Sequence, residues 1–251
     1  QQNQRFRPMK IIVLLLVSLV GFIFSPHAYA KCSVTDKLCV MAEIKETATQ
    51  IENKSWRDKV YRELAKSYTY EGYEDKAIEL IDIIETPDTK AMTIRGIGMA
   101  AADRDWKDRE RYNTLFKKLS AEAEKITHPP SLAIAYTYIA MAQAFAKDDT
   151  GAMATAKAME NDALRNKAFG ESAEIQAERG DYDAAMESIS EIESASFRNK
   201  AYATVARIFT KQGELDKAYK AANQIDNSYA KSQALQIIVN YGNDEETLSS
   251  F

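Results

Sequence analysis

Residues 165–197 read RNKAFGESAEIQAERGDYDAAMESISEIESASF, and residues 198–230 read RNKAYATVARIFTKQGELDKAYKAANQIDNSYA. The two stretches align without a gap. Arg165 and Arg198, Ala168 and Ala201, Gly180 and Gly213, Ala185 and Ala218, and Ile192 and Ile225 all stand 33 residues apart. A fixed period of that length marks a repeat array, in which each unit buries its apolar face only by stacking on the next. Within each unit a Gly, able to close one helix with positive φ, is followed five residues later by an Ala, small enough to let a second helix pack close. The unit is therefore a pair of helices.

The same register extends outward. Residues 57–86 form an upstream unit, with Tyr61, Leu64, Ala65 and Tyr68 on its first helix and Gly72 to Ala77 repeating the five-residue offset. Before it, residues 36–54 carry the helical stripe Val40, Ile44, Ala48 and Ile51, the second half of a pair whose first helix is missing. The next unit starts near Lys90-Ala91, 31 residues after Lys59-Val60, with Gly96 in the small-residue place. From Ala91 to Ala135 is 44 residues, so 11 extra ones are expected in a longer second helix, 106–127, stopped by Pro129-Pro130. Its stripe of Tyr112, Leu115, Phe116, Leu119 and Ile126 needs cover, from its own array or from a partner or second copy. Residues 133–164 make the most apolar unit, with Lys147 in place of the turn glycine, and residues 231–242 add one further first helix before a short acidic tail from Asn243. The expected fold is all-α, one domain over 31–251, with half-units at both ends.

Composition bounds the class. The 251 residues are 45% hydrophobic and 28% charged, with only 9 Gly and 5 Pro, a balance that favours helix. Residues 1–30 stand apart: Lys10, the apolar run Ile11–Phe24, Pro26 and Ala28-Tyr29-Ala30 have the order of an export signal with cleavage after Ala30. Gln1–Pro8 precede its Met9 and are given no structural role. The apolar run is 14 residues, short of the ~20 that cross a bilayer, so no membrane insertion is expected after cleavage. The destination is periplasmic or secreted. Without residues 1–30 the chain keeps 30 basic against 37 acidic residues, which speaks against general nucleic-acid affinity. The only cysteines, Cys32 and Cys39, are expected to pair in an oxidising compartment, with free thiols the alternative. On one continuous helix residues seven apart rise about 10.5 Å, too far for a disulfide, so pairing requires Cys32 in a non-helical lead-in with Thr35 or Asp36 as the N-cap.

The segments QAERGDYDAAMESI, KQGELDKAYKAA and TYEGYEDKAIEL resemble the tetratricopeptide repeat. Tyr61, Phe169 and Tyr202 take the place of its first aromatic and Ala65, Ala173 and Ala206 that of its small residue. The chain departs from that family in lacking the proline after the second helix and in carrying Ile84, Met159, Ile192 and Ile225 where Ala is usual. The resemblance implies a right-handed α-solenoid of antiparallel helix pairs, whose first helices line a concave surface that binds peptides or proteins. Carried over by register, that surface comprises Lys59, Arg62, Lys66 and Tyr70, then Lys90, Thr93 and Ile97, then Thr137, Met141 and Phe145. Lys167, Glu174 and Glu178 follow, then Lys200, Arg207 and Lys211. Lys59, Arg62 and Lys66, at i, i+3 and i+7, share one helix face and make a basic patch suited to acidic side chains or a C-terminal carboxylate; the bland alternative is a solvated surface. Met141 and Phe145 are either peptide contacts or core.

Catalytic patterns are sparse. Beyond residue 30 the single histidine, His128, sits beside Pro129-Pro130 in a capping position. No metal-ligand spacing, phosphate loop or second histidine is present, so neither metal nor cofactor is expected. Carboxylate pairs such as Glu174 and Glu178 leave glycosidase-like chemistry open by count alone. Trp56 and Trp106 read as packing anchors. The expected function is an exported, non-enzymatic repeat protein that binds or scaffolds a protein or peptide partner. The alternatives are an exported helical hydrolase or lyase, or a structural subunit of an envelope complex.

Overall fold

The computed structural model describes residues 32–104 and 106–243, and every regular element among them is a helix. The expected export signal over residues 1–30 and the tail residues 244–251 lie outside the described residues. α1 spans Lys37–Ala48, α2 Lys54–Tyr70, α3 Glu74–Ile83, α4 Pro87–Ala102, α5 Arg109–Glu124 and α6 Pro129–Phe145. α7 spans Asp149–Lys157, α8 Asp162–Glu178, α9 Tyr182–Ser190, α10 Ala195–Lys211, α11 Leu215–Asn223 and α12 Ser228–Val239. The even-numbered helices α2 to α12 are the first helices of successive units, and each packs on the next: α2 on α4, α4 on α6, and so on to α12. α1 packs on α2, and each later second helix packs on its own first helix.

The N-caps of the first helices fix the register. They fall at Asn53, Thr86, His128, Asn161, Ser194 and Asn227, spaced by 33 residues except for one step of 42. This corrects the reading of the second unit. It is offset by 33 rather than 31, the insertion is nine residues rather than 11, and Gly98, not Gly96, holds the small-residue position. Much of the insertion lies in α5, which has 16 residues against nine to ten in α3, α7, α9 and α11. The lead-in 103–108 takes most of the remainder. Nor does α5 present an uncovered stripe: Tyr112, Leu115, Phe116, Leu119 and Ile126 are all buried in the chain's own core.

The turns after α2, α8 and α10 close alike. Gly72, Gly180 and Gly213 have φ of 86°, 86° and 77°, and the N–H two residues after each first helix's C-cap, on Tyr73, Asp181 and Glu214, donates to the carbonyl of Tyr68, Gln176 and Phe209. That is the Schellman closure, which requires a left-handed residue. Lys147 adopts it at φ 58°, with Asp148 N–H on the Gln143 carbonyl.

The repeated Arg-Asn pair has a defined task. Arg57, Arg165 and Arg198 donate back to the carbonyls of Ile51, Met159 and Ile192, and reach across to Glu85, Glu193 and Asp226. The next residue, Asp58, Asn166 or Asn199, accepts the backbone N–H of Glu85, Glu193 or Asp226. One dipeptide therefore staples the linkers on both sides of its unit. At the other end of the first helices, Arg104 donates to the carbonyl of Thr69, Arg179 to that of Ala144 and Gln212 to that of Ala177, each across 35 residues. These are helix C-terminal carbonyls that otherwise accept from the turn N–H groups of Gly72, Lys147 and Gly180, and the two guanidinium donors also favour the helix dipole. Ala146 cannot reach α4, and there Trp106 Nε1 caps the Ala101 carbonyl at 2.9 Å.

The core forms two large blocks, Met41 to Ala142 and Ala140 to Ala234, and a small third one of Ala144, Ala152 and Ile175; Tyr136 on α6 packs against both large blocks. Cys32 and Cys39 stand at disulfide distance, Cα–Cα 5.6 Å, with Cys32 before the helix and Asp36 accepting from Cys39 N–H as the N-cap. Trp106 packs edge-on against Tyr112, whereas Trp56 is 66% exposed and anchors nothing, a correction to the reading of both as packing anchors.

Candidate functional site

Each first helix buries the sides that meet its second helix and its neighbours, which leaves one free face. On α2 this face carries Lys59, Arg62, Lys66 and Tyr70. The Lys66 ammonium lies over the Tyr70 ring, 5.8 Å from its centroid, and Arg62 pairs with Glu63 at 2.7 Å. No carboxylate pairs with Lys59 or Lys66 among the described residues.

With the offset of 33, the equivalent residues on α4 are Met92, Arg95 and Met99, all half-buried, and not Lys90, Thr93 and Ile97. Thr93 and Ile97 are fully buried in the helix contacts, and the Thr93 hydroxyl is spent on the Thr89 carbonyl. Lys90 lies one turn earlier, beside Asp82 of α3. The slip arose because α4 is apolar nearly all round, so its sequence marks no single face. Arg95 is the residue missed. Its guanidinium sits over the Tyr138 ring of α6 at 5.3 Å, and its Nε is buried without a hydrogen-bond partner.

On α6 the face carries Ile134, Tyr138, Met141 and Phe145. Met141 is half-buried and packs towards Ala144, Ala152 and Ile175, while Phe145 is 40% exposed. Thr137, expected there, is buried with its hydroxyl donating to the Ala133 carbonyl, so it is a wall of the α6 packing and not a surface contact. The centre of the face is thus apolar and rich in methionine.

α8 and α10 differ. Lys167, Glu171, Glu174, Lys200 and Phe197 line a cleft of ≈310 Å³ floored by Gly170. Burial raises the Glu174 carboxyl above the ordinary range, Glu171 and Glu178 add to it, and Arg207 and Lys200 oppose it. Lys200 and Lys211 are exposed and Arg207 is half-buried. The structure therefore brings most of the expected residues onto one face, basic on α2, apolar on α4 and α6, and mixed in charge on α8 and α10.

His128, Ser131 and Asp88 stand in a line that invites a catalytic reading. His128 Nδ1 lies 2.6 Å from Ser131 Oγ, and that hydroxyl donates to Asp88 at 2.5 Å. The order is wrong for nucleophilic catalysis, which places the imidazole between hydroxyl and carboxylate. Ser131 is also fully buried, and the three residues tie the start of α6 to that of α4.

No protein-family model, curated protein or solved structure matches this chain, so the likeness to the tetratricopeptide repeat rests on the quoted residues alone.

Proposed function

We propose that the protein is an exported, non-enzymatic α-solenoid of the tetratricopeptide type, which binds a protein or peptide segment along the free face of its first helices. The observation that carries this reading is the packing asymmetry. First helices stack on one another from α2 to α12, while second helices approach each other across units chiefly at α3 and α5. An array with one tighter layer curves towards it, which makes the first-helix face the concave one. An apolar strip with a polar border is the usual composition of a binding surface. The Cys32–Cys39 pair accords with an oxidising compartment.

Photo-crosslinking tests the reading. A photoreactive residue at Met99, Met141 or Phe145 is expected to capture a discrete partner in cells, and one at Glu187 on the back helix α9 is not. Adducts formed only from the back position would overturn it.

A second reading, a helical hydrolase or lyase, draws on Glu174, whose raised carboxyl beside other acids suits a general acid. It requires that Glu174→Gln abolish a hydrolytic activity of the purified protein.

A further inference from the structure

The linker staple is missing from the α6 unit. The positions that hold Arg57 and Asp58, Arg165 and Asn166, and Arg198 and Asn199 elsewhere carry Leu132 and Ala133 on α6. Leu132 has no donor to reach across the linker, and Ala133 has no side-chain acceptor. Glu160 stands where Glu85, Glu193 and Asp226 stand in the stapled units, and its N–H has no acceptor among the described residues. Asp58 and Asn166 are buried at this position, whereas Ala133, though smaller, is half-buried. In place of the staple there is a cleft of ≈390 Å³ between the start of α6 and the α7–α8 linker. Pro129, Pro130, Leu132, Tyr136 and Met159 wall it, and Ala133 and Glu160 complete it. On α4 the pair is Lys90 and Ala91, and there the line from Asp88 through Ser131 to His128 joins the helix starts instead.

The cleft is separate from the free face of the first helices. Leu132 and Met141 are about two and a half turns apart and so lie on opposite sides of α6; the inference does not rest on the peptide-binding reading. An apolar cleft of this volume with one polar group is of the kind that holds a small ligand, and at ~30 Å³ per water-sized group it has room for about a dozen. The one unmet polar group is a donor, which calls for an acceptor. The exposed Glu160 carboxylate, with no cation paired to it among the described residues, opposes an anion at the mouth.

We infer that this cleft binds a small uncharged molecule of about a dozen non-hydrogen atoms. Its aromatic or branched aliphatic body lies against Pro129, Leu132 and Tyr136, and its carbonyl oxygen accepts from the Glu160 N–H.

Three probes with a common body and different heads test this: phenylacetamide, phenylacetate and phenethylammonium, titrated into the purified, isotope-labelled protein and followed by NMR. The amide is expected to bind with a Kd of about 1–10 mM and to shift the Glu160 amide resonance. It should bind about fivefold tighter than either charged probe. Ala133→Asn, which supplies the acceptor found in Asn166 and Asn199, should erase the advantage of phenylacetamide over phenethylammonium. Leu132→Arg, which lays a guanidinium across the cleft as Arg165 and Arg198 do, should weaken every probe about tenfold or more. Ala133 is half-buried with open space beside it, so its variant reports on the cleft even where Leu132→Arg lowers stability. Equal or tighter binding of a charged probe overturns the uncharged ligand. No shift at Glu160 well above that Kd, or undiminished amide binding by Ala133→Asn, overturns the site.

Discussion

Gly98 on α4 and Ala142 on α6 stand in close contact: a Cβ on Gly98 would lie 2.8 Å from Ala142 Cβ. Both helices are buried there, so neither can withdraw without opening the core. Gly98→Ala is therefore expected to destabilise the protein by about 1–3 kcal/mol. Gly96, two residues earlier, would bring an added Cβ no nearer to a neighbour than 3.9 Å, from Lys66 Cβ, and Gly96→Ala should stabilise by about 0.5–1 kcal/mol through its helical preference alone. Urea denaturation of the two variants checks the contrast. Effects of the same sign would show that the register of α4 is misplaced.

Asp58 is fully buried and accepts from the N–H groups of Glu85 and Thr86 and from the Thr86 hydroxyl. Asn166 and Asn199 do the equivalent task in later units with a neutral amide. Asp58→Asn keeps one acceptor and removes a buried charge, so its stability should stay within about 1 kcal/mol of the parent. Asp58→Ala leaves buried donors unpaired and should cost about 2–4 kcal/mol. Chemical denaturation separates the two, and equal losses would mean that the carboxylate charge itself is required.

Lys147 occupies the left-handed position that Gly holds in three other units, at φ 58°. A residue with a Cβ is disfavoured there by roughly 1 kcal/mol, and its side chain is exposed. Lys147→Gly is expected to raise stability by about 0.5–1 kcal/mol, visible as a higher Tm of the whole domain.

How much of this was legible depended on whether a residue's task is local. The turn glycines and the Arg-Asn pairs recur because each unit needs the same left-handed closure and the same linker staple, so identical residues appear at 33-residue spacing. Met92 to Ala102 offered no such marker. When helices pack on several sides of α4, any of several small residues fits the pattern, Gly96 as well as Gly98. Arg95 escaped for the same reason, since it falls on the free face only after the two-residue shift. The caps from Arg104, Arg179 and Gln212 were hidden because donor and carbonyl lie 35 residues apart and the donor changes type between units.

Glu174 gives a prediction whose sign can be worked through. Its carboxyl is raised in the folded state, first by burial and then by Glu171 and Glu178, against the opposing Arg207 and Lys200. A folded pKa above the unfolded value means that the fold holds the proton more tightly. The favourable contribution is complete below the unfolded pKa, about 4.3, and is lost as pH rises through the folded pKa. At neutral pH the charged carboxylate therefore works against folding. Glu174→Gln should raise the Tm at pH 7, and the increase should shrink to nothing below about pH 4, where the parent carboxyl is itself protonated. A Tm increase of equal size at both pH values would assign the effect to packing in the α8–α10 cleft. High salt offers a second check, because it weakens the like-charge repulsion from Glu171 and Glu178 and leaves desolvation in place. Since burial is the larger cause, most of the difference between Glu174 and Gln should persist at 1 M salt, a concentration at which screening reaches about 3 Å.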